Sequence, residues 1–325
     1  MSSSVAPQIS YRSGFASRLT RWLDAIPHPP LAVEIAADRI AVARWSRTGS
    51  LDTFAVELLP SGAIVPSAVE TNVVNSAAVN SALAKACERV HAKNEEDVTL
   101  VLPDPVIRVF IQHFEEFPRS ADEAIPMLRW KLKKSIPFEA DETIISYMRQ
   151  PPREGGVDII TALARLRIVR EYESLAEKVS LYPGVVLSSS LAAISLLDDE
   201  KATLLARVSG IALTTAIVRD GVLCGYRCTD LPARGASLTP AMLLEEIFPV
   251  AAYYQDTWHE GIASVRLAGL GARLPEFIRP FEEEFHCPVR SLLQFAQSEG
   301  RIRDDIRQLA DRDLEGLVGW ALQHG

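Results

Sequence analysis

Two similar apolar stretches contain the charged residues best placed to do chemistry, Glu34 and Arg207. Each residue lies in a predicted strand that a tight turn joins to a second strand. From Glu34 to Gly49 is 15 residues, and from Arg207 to the Asp220-Gly221 turn is 14. Asp-Gly is a strong hairpin signal. The matching spacing predicts a duplicated fold with a cleft between its halves.

Familiar catalytic and metal-binding patterns are absent from the sequence. There is no Gly-x-Ser-x-Gly or His-Glu-x-x-His motif, and the six histidines have no ligand spacing. The four cysteines form no Cys-x-x-Cys pair, which is typical of a reduced cytosolic protein with thiols in its core. Cys224 and Cys228 are four residues apart on a predicted strand, so we expect them on one face. We therefore expect no catalytic residues and no metal ligands.

Length and composition favour a two-domain globular protein. The chain has 325 residues, 48% of them hydrophobic, and a formal net charge of −8. This charge argues against broad nucleic-acid binding. No apolar run approaches the roughly 18 residues needed to span a bilayer, and no signal peptide is recognisable.

The N-terminal segment, residues 1–30, is expected to be flexible and to contain a short basic amphipathic helix over residues 11–26. Its apolar residues share a face, with arginines elsewhere on the helix. Such a helix can lie in a membrane interface or dock on the body of the protein, and both readings stay open. In the first case the membrane-facing residues would be Phe15, Leu19 and Trp22.

Strands alternate with helices in the rest of the chain, which predicts an α/β fold. We expect a first domain over residues 31–198, with an inserted subdomain at about 103–150. The second domain would cover residues 199–325. Its last helix, at about 314–322, would pack back on the first domain.

The chain resembles the PilM family of type IV pilus assembly proteins, which are actin-like and related to FtsA. Four stretches carry the resemblance: LPDPVIRVFIQHFEEFP with LRWKLKKSIPFEADETIISY, DIITALARLRIVREYESLAEKVSLYPGVVLSSSLAAISLL, VRLAGLGARLPEFIRPFEEEFHCPV, and LEGLVGWAL. The match covers about residues 31–322. It implies an actin-like (ribonuclease H-like) duplicated fold, with two domains around a central cleft.

In actin-like folds ATP lies between two hairpin turns whose glycines let backbone N–H groups approach the phosphates. Family members have an Asp-Ile-Gly pattern at both hairpins. The matching residues here are Glu34 and Ala36 in the first, and Arg207, Ser209 and Gly210 in the second. Glycine is lost from the first hairpin, and a cation replaces a carboxylate that would organise Mg²⁺ in the second.

The turn on the adenosine side keeps Gly269 and Gly271 but has Leu270 between them. We therefore expect a degenerate cleft that requires no cofactor and does not hydrolyse ATP. Nucleotide binding without hydrolysis stays open.

The resemblance implies a cytoplasmic scaffold, peripheral to the inner membrane, that binds the N-terminal tail of a PilN-like bitopic membrane protein. Pilus motor ATPases are further expected partners, and the membrane surface is another. A groove near Trp130, Ile136 and Phe138 is our guess for the tail. The alternatives are an active actin-like ATP-binding protein or ATPase, and a cytoplasmic component of a type II secretion system; the latter continues into a transmembrane helix that this sequence does not show.

Overall fold

The computed structural model describes residues 29–153, 155–197, 200–233 and 235–323. Its first domain is built on a five-stranded sheet of order β3-β2-β1-β4-β8, in which β1 pairs antiparallel with β2 and parallel with β4. One face of this sheet packs against two helices. The elements are β1 (Leu31–Ile35), β2 (Arg39–Trp45), β3 (Leu51–Leu58), α1 (Ser76–Arg89), β4 (Glu96–Leu102), α3 (Leu166–Lys178) and β8 (Leu181–Ser188).

The second domain repeats this arrangement. Its sheet has the order β11-β10-β9-β12-β13, with β9 antiparallel to β10 and parallel to β12. Helices α5 and α6 cover one face. The elements are β9 (Thr203–Ser209), β10 (Ala212–Arg219), β11 (Val222–Asp230), α5 (Pro240–Trp258), β12 (Ser264–Ala268), α6 (Leu274–Phe285) and β13 (Val289–Ser291). Each sheet thus has three antiparallel strands followed by two parallel ones, so the fold is duplicated.

The other faces of the two sheets share a core with the short helices of the chain. This core joins Ala43 of the first sheet to Ala216 of the second, with the buried Trp320 among its largest side chains. The helices are α4 (Ser189–Ala193), α7 (Leu292–Ser298), α8 (Arg307–Ala310) and α9 (Glu315–Leu322). The last of them, α9, lies against α4 and β1 of the first domain.

A third, three-stranded sheet of order β5-β7-β6 is inserted between β4 and α3. The inserted subdomain consists of these three strands and one helix: β5 (Arg108–Phe114), α2 (Ala121–Leu132), β6 (Thr143–Arg153) and β7 (Gly156–Arg165). The sheet extends past the expected limit near residue 150 because β6 and β7 form one hairpin. Phe114, Leu128 and Ile159 form its small core.

A bulge in β11 separates Cys224 from Cys228, which were expected on one face. Ile217 pairs with Gly225 but Val218 pairs with Leu223, so Cys224 is the extra residue. Cys224 packs in the core of the second domain. Cys228 lies on the other face of the sheet. Burial raises the pKa of its thiol, and the nearby carboxylate of Asp104 raises it further, to about 12.

Candidate functional site: the interdomain cleft

Glu34 and Arg207 meet across the cleft, as their equivalent positions on β1 and β9 predict. Arg207 Nη2 lies 3.5 Å from Glu34 Oε1. Arg207 is only 4% exposed and Glu34 only 2%. A buried charge without a partner is costly, so this pairing is what allows Arg207 to point inward.

Two further carboxylates, not anticipated from the sequence, complete the cluster around Arg207. Asp104 begins a 3₁₀ turn directly after β4, and its Oδ2 lies 3.3 Å from Arg207 Nη1. Glu315 is the first residue of α9, and its Oε2 lies 3.5 Å from Arg207 Nη2. We call these four residues, Glu34, Asp104, Arg207 and Glu315, the arginine cluster.

Asp104 is the centre of a hydrogen-bond network that crosses the cleft. It accepts hydrogen bonds from Ser188 Oγ at 2.5 Å, Ser190 N at 2.8 Å, and Ser190 Oγ at 2.5 Å. From the second domain, Thr214 Oγ1 donates to it at 2.9 Å. A carboxylate with this many donors is well satisfied in a buried site.

Glu34 is held in a similar way, with donors from two of the helices of the shared core, α4 and α9. Ser189 Oγ donates to Oε1 at 2.8 Å, and the backbone N–H of Leu317 donates to Oε2 at 3.3 Å. The Cβ that Gly316 lacks would lie 2.9 Å from Glu34 Oε1 and 2.5 Å from Ser189 Oγ. Glycine at 316 therefore makes room for the Glu34 carboxylate beneath α9.

The arginine cluster has three carboxylates and one guanidinium, and the pKa values of Glu315 and Arg207 are shifted. Burial raises the pKa of Glu315, Glu34 raises it further, and Arg207 lowers it. Burial alone would lower the pKa of Arg207, but the three carboxylates more than offset this, so the guanidinium stays charged. The cleft therefore contains a permanent internal cation.

The two hairpin turns lie close together. Gly210 has φ of +63°, and the Cβ that it lacks would lie 3.9 Å from the Cβ of Ala37, which is van der Waals contact. In the facing turn, the N–H of Ala36 donates to the carbonyl of Arg39 at 2.9 Å. The two turns thus approach each other closely at Gly210 and Ala37.

The two glycines of the adenosine-side turn have different surroundings. Gly269 has φ of +73°, and a Cβ there would lie 1.8 Å from the carbonyl oxygen of Val208, so β9 requires glycine at this position. Gly271 has φ of +50° and faces open space. Leu270, between them, packs partly against the core of the second domain. The Gly269 requirement thus has a structural reason that involves no ligand.

A cavity of about 310 Å³ remains at the mouth of the cleft. Ser209, Gly210, Gly269 and Gly271 line it. Its charged lining residues include two cations and three acids: Arg39, Arg207, Asp38, Asp313 and Glu315. Within residues 29–323, as far as they are described, no group of three or more His, Cys, Asp or Glu side chains could hold a metal ion.

The three residues guessed for partner binding differ in their exposure and surroundings. Trp130 is 79% exposed on α2. Ile136 lines a separate groove with Pro137 and β5. Phe138 is half-buried in the loop that follows. Phe15, Leu19 and Trp22 lie outside the described residues.

Comparison with known proteins identifies the architecture. No family model matches the chain, and no curated protein matches it. A solved structure described as the "PilM-PilN type IV pilus biogenesis complex" matches with a TM-score of 0.67 and 16% identity, covering 91% of this chain and 98% of that one. Together with the duplicated sheet order, this match settles the fold.

The fold is actin-like. Two other structures match with TM-scores below 0.5. A Bacteroides thetaiotaomicron protein with an actin-like ATPase fold and unknown function has a TM-score of 0.48 and 10% identity, covering 86% of this chain and 95% of that one. The cytoplasmic domain of EpsL from the Vibrio cholerae type II secretion system has a TM-score of 0.45 and 11% identity, and the match covers 84% of this chain and 95% of that one. In the part of the chain that the structure describes, no helix meets the length and apolarity needed to cross a bilayer.

Proposed function

We propose that this actin-like protein is a scaffold of the type IV pilus inner-membrane assembly complex that does not hydrolyse ATP. The observation that carries the proposal is the arginine cluster. Arg207 contributes its charge where the family pattern has a carboxylate that organises Mg²⁺, and it is bound by three buried carboxylates. A guanidinium in this place repels a divalent cation and cross-links the two domains.

The proposed partner is the N-terminal tail of a PilN-like bitopic membrane protein. The solved structure with the same fold is a complex of PilM with PilN. Such a partner would hold the protein in the cytoplasm against the inner membrane, where pilus motor ATPases are further proposed partners. Trp130 is a candidate contact because a tryptophan that is 79% exposed is typical of binding hot spots.

Calorimetric titration with Mg·ATP tests the degenerate cleft. We expect no binding by the wild-type protein, and no ATP turnover. Arg207→Asp restores the acidic residue of the family pattern and should strengthen any Mg·ATP binding that exists. Tight Mg·ATP binding or ATP turnover by the wild-type protein would contradict a degenerate cleft and favour an active ATP-binding protein.

Co-precipitation with a synthetic tail peptide of a PilN-like protein from the same organism tests the partner. We expect binding by the wild-type protein and weaker binding by Trp130→Ala. Tyr182→Ala is the matched control, because Tyr182 is another exposed aromatic residue (53%) on a different sheet. If the tail peptide does not bind, the proposed scaffold role is wrong.

Co-sedimentation with liposomes containing anionic lipid tests the proposed membrane contact of residues 1–26. We expect the full chain to sediment with the vesicles and a form without residues 1–26 to remain in solution. Equal sedimentation of both forms would remove this segment from the membrane-binding role.

A further inference from the structure

A cavity of about 390 Å³ lies where the chain enters the first domain. Trp45, at the end of β2, and Trp320 of α9 line it, together with Pro29 and Pro30 immediately before β1. We call it the Trp45–Trp320 cavity. The backbone N–H of Trp45 donates to the carbonyl of Pro30 at 2.8 Å, which holds the entering chain against the cavity wall. A cavity of about 150 Å³ can hold a benzene-sized group, so this one has room for about two such groups.

Two groups in the wall of this cavity lack partners among the described residues. Trp45 is 9% exposed, and its indole N–H is shielded from solvent and forms no hydrogen bond. Arg47, in the turn after β2, is exposed and forms no salt bridge with a described carboxylate. A buried donor without an acceptor is costly. An occupant that supplies a carbonyl or carboxylate oxygen would therefore be stabilised here.

The segment that precedes the cavity has an apolar face of suitable size. Residues 11–26 are predicted to form an amphipathic helix, and Trp22, Leu23 and Ile26 lie on its apolar face. Pro27 disfavours helical backbone at the residue before it, so this helix should end at Ile26. The end of the apolar face is thus the part of the segment nearest the cavity.

The C-terminal end of the predicted helix is complementary in charge to the cavity wall. The last carbonyls of a helix have no partner within it and carry partial negative charge. Asp24, the only acidic residue among residues 1–28, lies in the same last turn. The indole N–H of Trp45 can donate to one of these carbonyls, and Arg47 can pair with Asp24. The segment thus supplies the acceptor and the negative charge that the wall lacks.

The connection between the segment and the cavity is short. Only Pro27 and His28 separate Ile26 from Pro29 in the cavity wall. Ile26 can therefore lie at most about 11 Å from Pro29, since an extended chain spans about 3.6 Å per residue. A short tether gives the attached segment an effective concentration on the order of millimolar, so weak contacts suffice to keep it docked.

We propose that residues 22–26 dock in the Trp45–Trp320 cavity of their own chain. Trp22 and Ile26 fill the cavity, the last carbonyls of the helix accept a hydrogen bond from Trp45, and Asp24 pairs with Arg47. This docking goes beyond the proposed scaffold role and does not depend on it. The apolar face that enters the cavity is also the face that would enter a membrane, so the cavity and vesicles compete for the segment.

Trypsin cleavage of the full chain in the absence of vesicles, followed by mass spectrometry, tests the segment. The bond that is followed is the one after Arg21, directly beside the docked residues. Ile26→Glu places a charge in the cavity and should speed this cleavage about tenfold or more, because cleavage follows the population of the open form. Ser17→Glu makes the same change in net charge outside the docked residues and should leave the rate within about twofold.

A charge reversal tests the wall of the cavity. Arg47→Glu replaces the attraction to Asp24 and to the helix end by repulsion, and it should speed cleavage after Arg21 about fivefold. Arg119→Glu is the matched control. Arg119 is also exposed and without a salt bridge to a described carboxylate, but it lies in the inserted subdomain, so the rate should stay within about 1.5-fold.

The indole N–H of Trp45 reports the position of the segment by NMR. Its proton resonance, assigned with Trp45→Phe, should lie at higher frequency in the wild type than in Ile26→Glu, because a hydrogen bond deshields the proton. Equal cleavage of Ile26→Glu and Ser17→Glu, equal cleavage of Arg47→Glu and Arg119→Glu, or an unchanged Trp45 resonance would each overturn the proposal. Failure of the tail-peptide or liposome experiment would instead refute the scaffold or membrane role alone, since these measurements contain neither component.

Discussion

Arg207 Nη1 lies 3.3 Å from Asp104 Oδ2, although the two residues belong to different domains and are 103 positions apart in the chain. Arg207 comes from the first strand of the second domain, and Asp104 from the turn after β4 of the first. This ion pair, with those to Glu34 and Glu315, joins the domains at the base of the cleft. In a scaffold, such a joint would hold the two domains in one fixed relation.

We first predict that Arg207→Met destabilises the protein by about 3–5 kcal/mol, because it leaves three buried carboxylates without their cation. The measurement is urea unfolding followed by circular dichroism. Arg219→Met is the matched control, since Arg219 also lies in the second sheet but forms exposed pairs with Asp220 and Glu260. The Arg219→Met variant should lose about 0–1 kcal/mol of unfolding free energy. A loss for Arg207→Met no larger than that for Arg219→Met would show that the arginine cluster adds no more stability than exposed ion pairs.

A second prediction concerns coupling within the cluster. In the Arg207→Met background, Glu315→Gln should raise stability, because it removes one of the unpaired charges. The coupling energy of the double-mutant cycle should be about 0.5–3 kcal/mol. Unfolding of the wild type, both single variants and the double variant provides the cycle. Additive effects would show that Glu315 and Arg207 do not interact.

A third prediction follows from the raised pKa of Glu315. Between its ordinary value near 4.5 and the higher value in the folded state, the folded protein binds more protons than the unfolded chain. Stability from this group is therefore present below the ordinary pKa and is lost as pH rises through the folded pKa. Glu315→Gln removes this titration, so its unfolding free energy should fall less than that of the wild type from pH 5 to 8.

Urea unfolding at several pH values measures this difference. Glu299→Gln is the control, because Glu299 is exposed and its variant should keep the pH dependence of the wild type. A steeper fall with pH in Glu315→Gln than in the wild type would contradict the assigned direction.

The cleft was predictable in part. Glu34 and Arg207 could be assigned to the cleft because they match the hairpin positions of the family that the sequence resembles. Asp104 and Glu315 could not, since one lies in a short turn and the other begins a helix whose position depends on tertiary packing. The signal for Asp104 was present, in the Asp-Pro step that follows a buried strand, but this step is equally typical of an ordinary turn.

Other differences between the sequence-based predictions and the structure arise from local features of the backbone that periodicity does not capture. Periodicity places Cys224 and Cys228 on one face, and a single extra residue in β11 reverses that result. The contact distance between Gly210 and Ala37 is likewise beyond sequence reasoning. Loss of glycine from the first hairpin predicts a poor phosphate site, whereas the distance between the two turns depends on how the domains pack.

The last prediction concerns Gly319, where α9 crosses α4. A Cβ at this position would lie 2.1 Å from the carbonyl oxygen of Ala192, so Gly319→Ala must push the helices apart. We expect a loss of about 1–3 kcal/mol or more, despite the better helix propensity of alanine. Gly184→Ala is the control, because nothing lies within 4 Å of a Cβ there. Thermal and urea unfolding compare the two variants, and an unchanged stability of Gly319→Ala would show that α9 does not need this close approach.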